Sequence, residues 1–373
     1  MEPMDGRRMG VEEELLLVDP HSGVPRAVAS AALRLSEEVP RPEEQVGGEL
    51  GNELWLEQLE TGTVPCHTIH EVESEIRRWR LAASRAARAA GSEVAALATS
   101  PLPVDPSVTP GARYRRIIDH FQMTAHEQLV SGCHVHVEIT SDDEGVAIID
   151  GFRPWLPALL ALSANSPFWQ GRQTHFASFR SQVISRWPSA GAPPALGSAK
   201  AYHALVRAML DTGVLIDEGM IYFDVRLSRR YPTVEVRVGD VCLDALDTVL
   251  LAGLIRALAE TEARAWAARA QPAPTLRPEL LRVSLWQAAR FGLDGELVHP
   301  VTGRPAPARV VVQALLDRVT PVLRELGELD VVGKLLEDGP LRRGTGAHAQ
   351  RKAYSGRGSL ADVVNMAVGR TLA

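Results

Sequence analysis

Four segments, far apart in the chain, carry acids or imidazoles inside apolar runs. Glu12, Glu13 and Glu14 sit between Val11 and Leu15. Glu53, Glu57 and Glu60 are spread through Leu54, Trp55, Leu56 and Leu59. His134, His136 and Glu138 alternate with Cys133, Val135 and Val137. Glu235 and Arg237 alternate with Val234, Val236 and Val238, and Asp224 and Arg226 repeat the acid-x-arginine spacing just before them. On a strand, every second residue shares a face. Glu12 and Glu14 therefore point together, and Glu13 points the opposite way, toward a structural ion pair. His134, His136 and Glu138 share a face, as do Glu235 and Arg237. Residues 53–60 leave two alternatives open: a helix gathers all three acids near one face, whereas a strand gathers only Glu53 and Glu57. Charged strand edges and cross-strand ion pairs are the plain structural alternatives.

Acids in apolar strands cost free energy unless something pairs with them. Two carboxylates about 4 Å apart repel by roughly 4 kcal/mol at an effective dielectric of about 20. Several converging acids stay ionised only with cations among them. An oxygen-rich, histidine-poor donor set favours Mg²⁺ or Mn²⁺ over zinc. Such ions with arginines nearby form a clamp for ATP phosphates. The chain has no Walker-type glycine loop and no protein-kinase signature set.

The elements that must position these residues read as a mixture. Strands are expected at 10–18, 53–60, 93–99 and 132–140, and an antiparallel pair at 222–227 and 233–239. Helices are expected at 69–90, with Arg77, Arg78, Arg80, Arg85 and Arg88 on a solvated face, and at 146–163, 199–210, 243–269, 279–290, 308–326 and 359–368. Pro272, Pro274 and Pro278 end the long helix at 243–269. Residues 166–195 form a long polar loop, a type that usually carries function. Strands and helices do not alternate regularly, which favours an α+β protein with an antiparallel sheet.

The chain has 373 residues, enough for one large core, and the expectation is a single domain over 1–373. Apolar content of 45% and charged content of 23% are ordinary for a globular protein. A formal net charge of −6 argues against a nucleic-acid partner. The sequence suggests no apolar run near the roughly 20 residues that span a bilayer, and no secretory signal, so a cytoplasmic location is expected. Cys66, Cys133 and Cys242 are too scattered for a disulfide framework. Cys133 and His134 face opposite sides of a strand, so Cys133 reads as a buried structural thiol.

The pattern resembles the carboxylate–amine ligases of the glutamate–cysteine ligase type 2 (YbdK-like) group, from Gly10 to about Arg351. Its markers are Gly10–Glu14, Leu59–Thr61, Gly132–Val137, Ser163–Gly171, Ser178–Arg180, Pro188–Gly191, Thr233–Arg237 and Gly344–Ala347. The resemblance implies a glutamine-synthetase-like fold, a curved antiparallel sheet flanked by helices, with ATP and two or three Mg²⁺ ions in its funnel. It implies that ATP phosphorylates a substrate carboxylate and that an amine displaces the phosphate. By position, Glu12, Glu14, Glu53, Glu60, His134 and Glu235 would contact metal or ATP. Arg237 and Arg180, with Glu235, would serve the transferring phosphoryl or a substrate carboxylate. Arg343, Gly344, Gly346 and Arg351 would belong to a loop over the phosphates, with Arg226 as a further nucleotide contact. Glutamate and cysteine are the leading substrates. The chain departs from the family pattern at His175, Glu138 and Ala349, which bears on substrate choice more than on reaction type. Other readings are the same chemistry with a different amine, a metal hydrolase built on the His134/His136 pair, and a non-catalytic ATP binder. Homo-oligomerisation is left open.

Overall fold

The computed structural model describes residues 6–37, 48–270 and 276–373. Its strands are β1 (Met9–Val18), β2 (Glu49–Asn52), β3 (Gln58–Gly62), β4 (Glu93–Ala95), β5 (Gly132–Glu138), β6 (Phe168–Trp169), β7 (Arg172–Gln173), β8 (Val225–Leu227), β9 (Thr233–Asp240), β10 (Glu296–Val298) and β11 (Pro305–Pro307). The helices are α1 (Ala29–Glu37), α2 (Ile69–Ala89), α3 (Ala112–Phe121), α4 (Met123–His126), α5 (Asp142–Phe152), α6 (Leu156–Ser163) and α7 (Arg180–Ile184). They continue with α8 (Ala199–Asp211), α9 (Ala245–Ala267), α10 (Pro278–Phe291), α11 (Ala308–Glu325), α12 (Leu329–Leu336), α13 (Gly346–Arg357) and α14 (Leu360–Thr371).

One sheet organises the molecule. Its strand order is β2-β3-β1-β5-β9-β8, with β4 also paired to β1, and every pairing is antiparallel. The period-two pattern sorts its two faces. Val11, Val135, Val137, Val234 and Val236 join one buried cluster with α2, α5, α6 and α9. Glu12 and Glu14 alternate with these apolar positions and face the other side. The α2 helix starts at a capping box, in which the Thr68 hydroxyl accepts from the Glu71 N–H and the Glu71 carboxylate accepts from the Thr68 N–H.

Several sequence expectations need correction. Residues 53–57 form the turn between β2 and β3, and the strand begins only at Gln58. The strand at 93–99 stops at Ala95. The helix expected from 146 begins at Asp142, capped by Ser141, and is interrupted by a tight turn at Arg153–Trp155. The run Asp142–Ser163 is long and apolar enough to cross a membrane, contrary to the sequence reading, but 83% of its apolar window is buried inside the protein. The polar segment 166–195 contains the β6–β7 hairpin and α7. Pro272 and Pro274, and residues 1–5, lie outside the described residues.

Arg80 is not on the solvated face of α2. It is 1% exposed and donates to both carboxylate oxygens of Glu13 at 2.8 and 2.6 Å. It also donates to the carbonyls of Cys242, Leu243 and Thr371. Glu13, turned away from Glu12 and Glu14 by the pleat, thus finds its partner under the sheet. The three cysteines are buried free thiols, and burial pushes the Cys66 thiol up to about 12.

Candidate active site

Strand register assembles the site. Across β1 and β3, Glu14 stands opposite Glu60, and across β1 and β5, Glu12 stands opposite His134. Across β5 and β9, His136 stands opposite Glu235, which in turn stands opposite Arg226 on β8. These residues, with Glu53, Arg180 and Arg237, line one cavity of about 480 Å³. Glu53 reaches it from the β2–β3 turn, where its carbonyl accepts from the Thr109 hydroxyl at 2.6 Å. Glu57 turns away and accepts the Ser107 N–H on both oxygens at 3.0 and 3.1 Å. Its role is to hold the turn.

The contacts inside the cavity are tight. Glu12 lies 3.3 Å from His134 Nδ1 and 3.4 Å from His136 Nε2. His134 Nε2 is 3.8 Å from Glu14, and Glu14 accepts the Gly132 N–H at 2.6 Å. Glu235 accepts from Arg226 at 2.7 and 3.1 Å and pairs with Arg237. His136 Nδ1 meets the Thr233 hydroxyl at 2.9 Å. The Nε2 atom of His134 is buried without a hydrogen-bond partner.

Electrostatics divides the acids. Burial, reinforced by the Glu14 charge, pushes the Glu53 carboxyl up to about 7. Burial and then the charges of Glu53, Glu12 and Glu14 push Glu60 well above the usual carboxylate range. Burial also opposes charge on Glu12, but hydrogen bonds from His134 and His136 outweigh it and hold Glu12 low. Glu235 is likewise held low, because the Arg237 and Arg226 charges outweigh its burial. His134 is lowered by burial and by Arg237. For His136, the Glu12 hydrogen bond and the Glu235 and Glu12 charges outweigh burial and raise it.

The donor set fits divalent cations. Three overlapping groups each bring their ligand atoms within 4.8 Å of one another: Glu12, Glu60 and His134; Glu12, His136 and Glu235; Glu14, Glu53 and Glu60. Carboxylates predominate in every group, which suits Mg²⁺ or Mn²⁺. The two histidines fall in different groups, so the His-x-His pair does not converge as a single two-imidazole site.

Arg180 arrives from the long polar segment by a buried network. Asp240, fully buried on β9, accepts from the Asn165 N–H and from the Ser166 and Ser178 hydroxyls at 2.7–2.8 Å. The Ser166 hydroxyl accepts the Arg180 N–H at 3.0 Å. The Arg180 side chain then passes over Gly132, where an added Cβ would sit 2.3 Å from its Nη2. A side chain at position 132 would have to displace the Arg180 guanidinium.

The loop expected over the phosphates is elsewhere. Arg343 pairs with Asp244 and Asp247, and Gly344 turns the chain at φ 85°. Gly346 opens α13 and packs on Asn165, whose Oδ1 would lie 2.1 Å from an added Cβ. Arg351 donates to the Phe176 carbonyl at 2.8 Å and lies 3.5 Å from Asp294. None of the four lines the cavity. The loop that the resemblance implies over the phosphates is thus held by ion pairs and close packing outside the cavity lining. Sequence reasoning missed cavity residues Trp55, Arg113, Tyr114, Gln128, Arg229 and Arg230. Arg229 and Arg230 had a signal, since they occupy the expected turn between β8 and β9. The other four carry no pattern at the sequence level.

The model of glutamate–cysteine ligase family 2 matches residues 8–365. A candidate glutamate–cysteine ligase 2 of Streptomyces coelicolor is 51% identical over 367 residues, covering 98% of this chain and 99% of that one. One of Streptomyces avermitilis is 49% identical over 365 residues, with the same coverage. The chain belongs to glutamate–cysteine ligase family 2. It is an ATP-dependent ligase that forms an amide bond. Among solved structures, the glutamate–cysteine ligase of Francisella tularensis in complex with AMP matches with a TM-score of 0.68 at 12% identity, covering 99% of this chain and 89% of that one. A bifunctional glutathione synthetase of Pasteurella multocida matches with a TM-score of 0.66 at 16% identity. There the match covers 98% of this chain but spans only 52% of that longer protein. At such identities the likeness is one of fold. This family member shares with those two ligases an α+β arrangement, an antiparallel sheet flanked by helices.

Proposed function

We propose that this member of glutamate–cysteine ligase family 2 joins the γ-carboxylate of L-glutamate to the amine of L-cysteine. ATP transfers its γ-phosphoryl group to the carboxylate, leaving ADP and an acyl phosphate. The neutral amine then attacks the acyl carbon, phosphate leaves, and the amine loses a proton. The convergence of Glu12, Glu14, Glu53, Glu60, His134 and Glu235 on one cavity with Arg180, Arg226 and Arg237 supports this reading. Those acids and His134 would hold Mg²⁺ or Mn²⁺, which would neutralise phosphate charge when bound. Arg237, oriented by Glu235 and lying 3.3 Å from His134, would face the transferring phosphoryl group. Arg226, fixed by the same carboxylate, would face the nucleotide phosphates.

The three departures from the family pattern all lie outside the cavity lining. His175 is exposed at φ 63°, in a left-handed turn that glycine adopts without strain. Glu138 pairs with Arg8 at the end of β5, and Ala349 packs against a core cluster. Their remoteness supports the family's own substrates over a different amine. The hydrolase reading has less support, because it needs both imidazoles on one ion. We place the enzyme in the cytoplasm, where ATP and reduced thiols are available.

Purified protein with ATP, Mg²⁺ and a panel of amino acids tests the proposal. ADP release that requires both glutamate and cysteine, with γ-glutamylcysteine as product, is the expected result. Substrate turnover without nucleotide would overturn it.

A further inference from the structure

Besides the acids and imidazoles, the cavity lining includes Trp55, Gln128, Arg180, Ile184 and Trp187. Three polar atoms here lack a partner: the indole Nε1 of Trp55, the carboxamide Oε1 of Gln128 and the guanidinium Nε of Arg180. Their residues are 0%, 5% and 4% exposed. A buried polar group left unpaired is costly, and native structures hold few of them. Three around one cavity point to a ligand.

Contacts tie these residues together. The Trp55 ring lies 6.2 Å from that of His126, two residues before Gln128. Gln128 Nε2 donates to the Val183 carbonyl at 3.0 Å, and Val183 is three residues beyond Arg180 on α7. That bond also fixes the amide orientation. A carbonyl can only accept, so Nε2 must face Val183 and Oε1 is left free.

The unpartnered set is two donors and one acceptor. The phosphates of a nucleotide are largely ionised at neutral pH and present chiefly acceptors, which would meet the Gln128 oxygen unfavourably. The Arg180 guanidinium is 4.0 Å from Asp240 and 3.5 Å from the Arg237 carbonyl, which leaves it under-satisfied and suited to an anion. An α-amino acid head group supplies both needs, since its carboxylate accepts and its ammonium donates.

We propose that Gln128 is a specificity-determining residue, whose Oε1 accepts a hydrogen bond from the α-ammonium of the carboxylate substrate while Arg180 faces the α-carboxylate. This rests on reading the cavity as the ligase active site. The ammonium read here is not the attacking amine. The nucleophile must be neutral and beside the acyl group, whereas the group read here is the charged α-ammonium of the acid substrate, beside the amide that Gln128 anchors on Val183 of α7.

The test compares L-glutamate with glutarate, which lacks only the ammonium. ADP release is measured for the wild type, Gln128→Met and Gln128→Glu. Binding of each acid in the presence of Mg²⁺ and a non-hydrolysable ATP analogue is measured by calorimetry. Wild type should favour glutamate. Gln128→Met removes the acceptor and should lower the glutamate-to-glutarate preference by roughly 10- to 100-fold, the loss expected for one hydrogen bond to a charged group. Gln128→Glu keeps an acceptor for the ammonium but loses the donor to Val183, and should retain the preference. Equal loss in both variants would assign Gln128 to holding Val183 and overturn the proposal. A rise in KM for ATP with an unchanged preference would make this region a nucleobase pocket and overturn it too. If the wild type releases no ADP with any acid and amine, the ligase reading fails by itself. Calorimetry then still decides the role of Gln128, because equal or absent affinity for the two acids would refute it.

Discussion

Metal binding should be coupled to proton release, because the site holds acids that cannot all ionise without a cation. Glu53 titrates at about 7, and Glu60 lies well above the usual range. At neutral pH, Glu53 keeps about half a proton, and burial with the neighbouring charges favours the protonated form of Glu60 as well. A divalent ion inverts the local electrostatics and expels them. Each proton released makes the apparent Mg²⁺ affinity rise by about tenfold per pH unit below the group's pKa. The same shift makes stability depend on pH. A carboxyl whose folded-state pKa is raised stabilises the fold at low pH, and that contribution is lost as pH rises from 4.5 through about 7. For Glu53, a rise from 4.5 to about 7 at about 1.4 kcal/mol per unit gives on the order of 3 kcal/mol. Calorimetric Mg²⁺ titrations in buffers of different ionisation enthalpy, at about pH 6 and about pH 8, would count the protons. Thermal melts across that range would show metal-free protein weakening with pH and Mg²⁺ restoring it. Affinity independent of pH, with no heat attributable to buffer, would refute the metal site as drawn.

Four further outcomes follow from particular contacts. Glu235→Gln frees Arg226 and Arg237 from their shared carboxylate and should lower kcat by roughly 10²-fold or more with an unchanged circular dichroism spectrum; wild-type turnover would remove Glu235 from the site. Arg80→Met leaves Glu13 buried and unpaired beneath the sheet and should cost about 3–5 kcal/mol in urea unfolding, whereas a loss below about 1 kcal/mol would contradict the buried pair. Gly132→Ala places a methyl group against Arg180, so its activity loss and that of Arg180→Ala should overlap in a double-mutant cycle; simple additivity would show that the two do not touch. Arg343→Ala breaks ion pairs with Asp244 and Asp247 and should lower the melting temperature without raising KM for ATP, and a large KM change would return Arg343 to the nucleotide site.

The sequence by itself determined which side chains share a strand face. Period-two geometry turns Glu12 and Glu14 together, sends Glu13 the other way, and groups His134 with His136 and Glu235 with Arg237. It does so before any strand meets another, because the pleat is a property of the local backbone. Register and packing decided the rest. Only the pairing of β1 with β3 and β5, and of β5 with β9, puts Glu12 beside His134 and Glu60 beside Glu14. Arg80 read as one arginine among several on a solvated helix, and only the docking of α2 beneath β1 made it the partner of Glu13. The family resemblance placed the Gly344–Arg351 stretch over the phosphates, whereas the folded chain holds Arg343 on Asp244 and Asp247, Gly346 against Asn165 and Arg351 on the Phe176 carbonyl, outside the cavity lining. Gln128 carried no local signal at all. It matters only because the chain brings Val183 to one end of its amide and leaves the other end buried without a partner in the cavity wall.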